Sequence, residues 1–218
     1  YQDILIHDLL QRVKKKRVSN VSSIQETFFS TFAETDASLM TADPVKFPGF
    51  RLSIEQALSR DIKPCGLVTG IAQLKGPLRR KVGVAISNLD FQAGAFDMAS
   101  CEKFCRLLVT CARKRHAVVA FVSSGGMQTK EGAGSLFSMA ILNDRITRFV
   151  RDNNLPIIIF GFGDCTGGAQ ASFVTHPLAQ TYYFSGTNMP FAGQIVVPAY
   201  LPSTSTLSNY LSETPGAM

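Results

Sequence analysis

The 218-residue chain has no Trp and three His, and only 17% of its residues are charged. Hydrophobic residues make up 45%. That is apolar material enough for a core, and it excludes a mostly disordered chain. Length points to one large domain, or a domain with an arm. The five cysteines (Cys65, Cys101, Cys105, Cys111 and Cys165) are odd in number and lack paired spacing, which argues against a secreted disulfide framework. Cys101 and Cys105 lie one helical turn apart, but no CxxC pair or nearby His supports a metal site, so none is expected. No apolar run is long enough to cross a bilayer, and no signal-peptide pattern opens the chain, so no membrane partner is expected. The chain begins at Tyr1 and stops after Gly216-Ala217-Met218, and we expect both ends to be cut from a longer polypeptide. Neither GxxxxGK[ST] nor GxGxxG occurs, which excludes P-loop and Rossmann nucleotide sites. No repeat of solenoid type is present either.

Acidic residues are scarcer than basic ones, 16 against 22, for a net charge of +6. A field of that size suits phosphorylated ligands or an acidic partner and does not by itself call for nucleic acid. The densest basic run, Arg12, Lys14, Lys15, Lys16 and Arg17, reads as a solvated helix end.

What is present is an alternation of elements. Ile4, Leu5, Leu9, Leu10 and Val13 predict an amphipathic helix over residues 3–17. Residues 19–36 read as a helix and connection, so 1–42 form a helical arm ahead of a domain at 43–218. A short helix is expected at Ser53 to Leu58, with Ser53 as N-cap. Strands are expected at 66–72, 82–86, 117–122, 156–160 and 182–184, with a turn at Lys75-Gly76-Pro77. Helices are expected at 98–114, at 133–151 and from Ala169 to Val174. Continuous apolar strands alternating with helices predict an α/β domain with a mostly parallel sheet covered on both faces.

Two segments carry the chemistry. Ser123-Ser124-Gly125-Gly126-Met127 and Asp164-Cys165-Thr166-Gly167-Gly168 each set a Gly-Gly pair between an apolar strand and a helix. Open α/β sheets place ligands at such carboxyl ends. One pair alone reads as an ordinary tight turn. Two in matching positions suggest backbone N–H groups holding one anionic oxygen, an oxyanion hole. Ser123 and Ser124 are not in a GxSxG elbow. Asp164 and Glu131 are the nearest acids, each readable as a general base or as a helix cap or ion-pair partner. His116 and His176 read as structural.

SSGGMQTKEGAGSLFSMA, LPIIIFGFGDCTGGAQASF and FSGTNMPFAGQIVV resemble, in that order, segments of the carboxyltransferase beta subunit of bacterial and plastid acetyl-coenzyme A carboxylase. FAETDASLMTADPVKF and GIAQLKGPLRRKVGVAISNLDFQAGAF upstream, and LSNYLSETPGAM downstream, extend the resemblance over about Phe28 to Met218. The resemblance implies a crotonase-type ββα superhelix and transfer of a carboxyl group from carboxybiotin to acetyl-coenzyme A, giving malonyl-coenzyme A. It implies donors at Gly125, Gly126, Gly167 and Gly168, and substrate contacts at Ala93, Gly94, Met127, Phe191, Ala192 and Gly193. Which Gly-Gly pair faces the thioester and which the biotin ureido oxygen stays open. Lys75, Arg79, Arg80 and Lys81 read either as contacts to coenzyme A phosphates or as solvated charges.

The implied partners are an alpha-type carboxyltransferase subunit or second crotonase domain, and a biotin carboxyl carrier protein. The implied compartment is the bacterial cytoplasm or the plastid stroma. The chain departs from the family at Gln92-Ala93-Gly94-Ala95-Phe96-Asp97, where Gly-Gly-Ser-Met-Gly is usual. It also departs at Met127-Gln128-Thr129-Lys130, where an Arg is missing, and at Asp164-Cys165-Thr166, where Pro-Thr-Thr is usual. The four-Cys zinc ribbon of many bacterial members is not within this sequence. Two other readings remain: a decarboxylase- or hydratase-type crotonase acting on an acyl-coenzyme A without biotin, and a degenerate subunit that only binds a partner.

Overall fold

The computed structural model describes residues 5–7, 9, 19–77 and 79–189. Six strands form one sheet in sequence order: β1 (Phe29–Thr35), β2 (Leu67–Leu74), β3 (Lys81–Ser87), β4 (Val118–Ser124), β5 (Ile157–Cys165) and β6 (Gln180–Tyr183). β1, β2 and β3 pair antiparallel, and β3 through β6 pair parallel. Each parallel step needs a crossover. α3 (Met98–Lys114) joins β3 to β4, and α4 (Ala133–Asn153) joins β4 to β5. A short α5 (Gly167–Ala169) runs into a π-turn (Gln170–Val174) and joins β5 to β6. Ahead of the crossovers lie α1 (Val21–Phe28) and α2 (Phe50–Ser59).

The central strands β3, β4 and β5 are largely apolar because both faces of the sheet are covered there. Leu67, Ala85, Val118, Ala120, Val122, Ile157 and Ile159 pack with Phe104, Leu107, Leu142 and Ile146 of α3 and α4. The alternate residues Val84, Ile86, Val119, Phe121, Ile158 and Phe160 face Leu5, Leu9, Ile24 and Phe28. Phe121 sits 4.8 Å from Phe28 and 5.4 Å from Phe160 between ring centroids. A one-residue register slip would exchange the two sets, so the faces lock the register. That register fixes where β4 and β5 end relative to each other.

Two local expectations change. Residues 29–35 form a strand, not a connection, pairing with β2 from Phe29↔Leu74 to Thr35↔Thr69. As an edge strand it is exposed along much of its length, so it lacks the apolar run that marked the central strands. Helix α2 starts at Phe50 rather than at Ser53, because Gly49 turns the chain with φ 76° and lets buried Phe50 meet Phe91 at 6.3 Å. Ser53 Oγ then donates back to the Gly49 carbonyl and does not cap. Leu5, Ile6 and Leu9 are helical and buried as expected, while the basic run at Arg12 to Arg17 lies outside the described residues. No helix among the described residues is long and apolar enough to cross a membrane.

Candidate functional site

β4 and β5 are parallel neighbours with Ser124 opposite Cys165, so their carboxyl ends emerge side by side. The two Gly-Gly turns therefore meet. An ideal Cβ on Gly126 would lie 3.5 Å from the Gly168 nitrogen, 3.5 Å from the Thr166 oxygen and 3.6 Å from the Gly167 Cα. Gly126 has φ +105°, a conformation that L residues rarely adopt. The Ser124 carbonyl ties the turns together by accepting from Thr166 N at 3.0 Å and from Thr166 Oγ1 at 3.3 Å. Ser124 Oγ accepts from Gly126 N at 3.2 Å and donates to the Gly126 carbonyl at 3.1 Å. Ser123 Oγ donates to the Asp164 carbonyl at 3.2 Å. Both serine hydroxyls thus shape the turns and are tied up by backbone.

The segment around Ala93 and Gly94 docks on the first turn. Gly125 N donates to the Ala93 carbonyl at 3.3 Å, and Phe96 N donates to the Gly126 carbonyl at 2.8 Å. A Cβ on Gly94 would stand 2.5 Å from the Ser123 carbonyl oxygen, so only glycine permits this approach. Met127, half-buried, bridges to Phe96 through the backbone. The amides of Gly125 and Gly126, both expected as oxyanion donors, are therefore engaged within the protein. Gly167 and Gly168 differ. They open α5, and among the described residues no acceptor takes their N–H groups. The geometry brings together Ala93, Gly94, Gly125, Gly126, Met127, Gly167 and Gly168. Phe191, Ala192 and Gly193 lie outside the described residues.

The two acids part ways. Glu131 is buried, and its carboxylate accepts from Met98 N at 2.6 Å and from Thr41 Oγ1. It caps the start of α3, and burial pushes its carboxyl above the ordinary value. Asp164 is exposed at the end of β5 and accepts from Asn188 Nδ2 at 3.0 Å. The sequence reading missed Asp97, which is fully buried and also caps α3, accepting from Ser100 N at 2.6 Å and from Gly66 N at 2.8 Å. Burial raises its carboxyl as well. Asp97 anchors the segment that carries Ala93 and Gly94 to the start of β2. Its one sequence signal was an Asp just ahead of an apolar-periodic run.

The basic hairpin lies elsewhere. Lys75, Arg79, Arg80 and Lys81 sit between the end of β2 and the start of β3, at the amino end of the parallel strands. β4 has seven residues, so at about 3.3 Å each the hairpin stands roughly 20 Å from the Gly-Gly turns.

No family model matches the chain. Among solved structures, it is similar to transcarboxylase 12S, determined with methylmalonyl-coenzyme A and methylmalonic acid bound. That match has TM-score 0.62 and 20% identity over 87% of this chain and 34% of that one. A Pseudomonas malonate decarboxylase hetero-tetramer in complex with malonate gives TM-score 0.63 and 17% identity over 88% of this chain and 69% of that one. The beta subunit of P. aeruginosa geranyl-CoA carboxylase gives TM-score 0.57 and 14% identity over 90% and 35%. The likeness is one of fold. The chain has the mixed α/β fold of carboxyltransferase and crotonase-like proteins, a six-stranded sheet flanked by helices. It spans about a third of the length of the transcarboxylase and geranyl-CoA carboxylase chains.

Proposed function

We propose that the chain is one half of a carboxyltransferase site acting on an acyl-coenzyme A, with acetyl-coenzyme A as substrate and malonyl-coenzyme A as product. The observation that carries this reading is the meeting of the two Gly-Gly turns, with amides at Gly167 and Gly168 that no acceptor among the described residues takes. Backbone donors without a protein acceptor suit the negative charge that develops on a thioester oxygen when the α-carbon loses its proton. Gly167 and Gly168 are assigned that oxygen. Gly125, Gly126, Ala93 and Gly94 are assigned to the wall opposite, where Gly126 meets Gly167 and Gly168 through backbone atoms. Met127, Phe191, Ala192 and Gly193 are assigned to the substrate's surroundings.

Carboxybiotin, brought by a biotin carboxyl carrier protein, would supply the carboxyl group and the base. The engagement of the two nearest acids among the described residues fits that division of labour: Glu131 is occupied as a cap and Asp164 is paired with Asn188. Such a half-site needs a second crotonase-type domain, from an alpha-type subunit or from elsewhere in a longer chain. We place the assembly in a bacterial cytoplasm or a plastid stroma; residues 1–42, expected as an arm, share the sheet and core of the domain at 43–218 through β1, Leu5, Ile24 and Phe28.

Calorimetry with acetyl-, propionyl- and malonyl-coenzyme A tests the assignment. Binding by the wild type that is lost in folded Gly168→Val supports it. Unchanged binding in that variant refutes it. Malonyl-coenzyme A formation by the 218-residue chain alone would refute the half-site. The malonate decarboxylase, matched over 69% of its length, favours a second reading: loss of carbon dioxide from a malonyl thioester held by the same amides. Turnover of malonyl-coenzyme A without biotin separates the two.

A further inference from the structure

A cleft of about 340 Å³ opens between the loop at 39–44 and helices α3 and α4. The loop is pinned at Thr41, whose N–H donates to the Pro64 carbonyl at 3.0 Å and whose hydroxyl donates to the Glu131 carboxylate. That fixes one wall. Ala99 and Cys101 of α3 are buried at the base, and Met40, Met98 and Ile141 stand exposed at the mouth.

The polar side chains that line this cleft are already bonded within the protein. Thr41 gives its hydroxyl to Glu131, which also accepts from Met98 N at 2.6 Å. Glu102 accepts from Arg106 Nε at 2.7 Å, and Ser138 Oγ donates to the Gly134 carbonyl at 2.8 Å. Burial, and then the neighbouring Glu102, pushes the Cys105 thiol up to about 11, and burial raises Cys101 as well. Both therefore stay protonated at neutral pH and pack as small hydrophobes. What faces the cavity is mainly hydrocarbon and sulfur. A polar ligand group buried there would give up its hydration without gaining a partner, whereas a hydrocarbon gains by leaving water. The two methionines at the mouth adapt to a flexible shape.

The mouth also carries a cation. Arg145 follows Ile141 by one turn, so the two share a face of α4. Its guanidinium lies near enough to Cys105 to draw that thiol back down, against burial and Glu102.

The geometry points to a binding site for a flexible aliphatic chain with an anionic head, the chain lying in the cleft and the head beside Arg145. The volume is at the lower end of the roughly 300–1,000 Å³ of small-molecule sites. At about 30 Å³ for each group the size of a water molecule, it holds on the order of ten carbons. None of Gly125, Gly126, Gly167 and Gly168 lines the cleft, so this inference is independent of the reaction at the Gly-Gly turns.

The test uses the 218-residue chain and reads protection of Cys105, the half-buried thiol of the cleft, from N-ethylmaleimide by mass spectrometry. Butanoate, hexanoate, octanoate and decanoate are added in turn, and calorimetry on the same series reads binding without the thiol. The half-saturating concentration should fall about fourfold for each added methylene and stop falling once the cleft is full. Ile141→Asn should weaken decanoate by roughly three- to tenfold, whereas Val109→Asn, on α3 outside the cleft, should not. Arg145→Gln should weaken decanoate and leave decanol unchanged. All three residues are exposed, so the fold is expected to persist, and melting temperatures check it. Affinity that does not rise with chain length, an equal loss in Val109→Asn, or no binding by either measurement overturns the proposal, and the last outcome leaves the cleft to a side chain of a partner. Undiminished decanoate affinity in Arg145→Gln overturns the placement of the head. Decanoyl-coenzyme A identifies the source. Protection of Cys105 stronger than by decanoate points to a chain carried on coenzyme A, and weaker protection points to the free acid.

Discussion

Replacing Gly126 by Ala adds one methyl group where the two turns touch, and the structure sets the size of two separate effects. The first is conformational. Gly126 has φ +105°, and holding an L residue in such a region costs about 1–3 kcal/mol. No steric cost is added, because the new Cβ finds its nearest neighbours at 3.5–3.6 Å, ordinary contact. For a chain of this size, each 1 kcal/mol lowers the melting temperature by about 2–4 °C, so the fall should be roughly 2–12 °C. The second effect is on ligand binding. The methyl stands 3.5 Å from the Gly168 nitrogen and covers a donor assigned to the thioester oxygen. Losing one net hydrogen bond of about 0.5–1.5 kcal/mol weakens acyl-coenzyme A binding roughly two- to tenfold. Thermal unfolding followed by circular dichroism reads the first effect, and calorimetry well below the melting temperature reads the second. A variant that melts with the wild type would refute the strain argument. A folded, destabilised variant with undiminished affinity would refute the placement of the thioester while leaving the backbone argument intact.

Asp97→Ala removes the cap on Ser100 N and leaves the Gly66 amide buried without an acceptor. The loss should total roughly 2–4 kcal/mol in urea unfolding, and a change below about 1 kcal/mol would show that water replaces the carboxylate. Asp97 and Glu131 both have carboxyls raised by burial from ordinary values of 3.8 and 4.5. The folded state therefore holds their protons more tightly than the unfolded state does. Their contribution is fully present below the ordinary values and is lost as pH rises through the folded ones. Denaturation midpoints measured upward from pH about 4 should show this decline, and Glu131→Gln should flatten it. A wild-type and variant pair with the same pH slope would exclude Glu131 as a source. Burial pushes the thiols of Cys65, Cys111 and Cys165 up to about 12. Mass spectrometry after iodoacetamide at pH about 8 should find them unmodified in the folded chain and alkylated in denaturant. Rapid native labelling of Cys165 would mean that the end of β5 opens.

Local order carried much of this architecture. Val82 to Ile86, Ala117 to Val122 and Pro156 to Phe160 are apolar runs too short for helices, and 98–114 and 133–151 have helical spacing. Their alternation implies parallel strands joined by crossovers, with the Gly-Gly turns at the strand ends, because period and length are properties of neighbouring residues. The edge strand Phe29–Thr35 was not legible, since an edge half open to solvent need not be apolar. Asp97 was missed because its partner Gly66 is 31 positions away.

The amino-acid order thus settled the central strands, the crossover helices between them and the place of the two Gly-Gly turns at the strand ends. Tertiary structure decided which amides in those turns stay available. Gly125 N is taken by Ala93, 32 residues earlier, and Gly126 N by Ser124, whereas no acceptor among the described residues takes those of Gly167 and Gly168. It also sent the basic hairpin away from the turns, because β2 and β3 are antiparallel and the hairpin joins them at the amino end of the parallel strands. Hydrogen-bond partners and strand directions are set by residues far apart in the chain, so no local pattern encodes them.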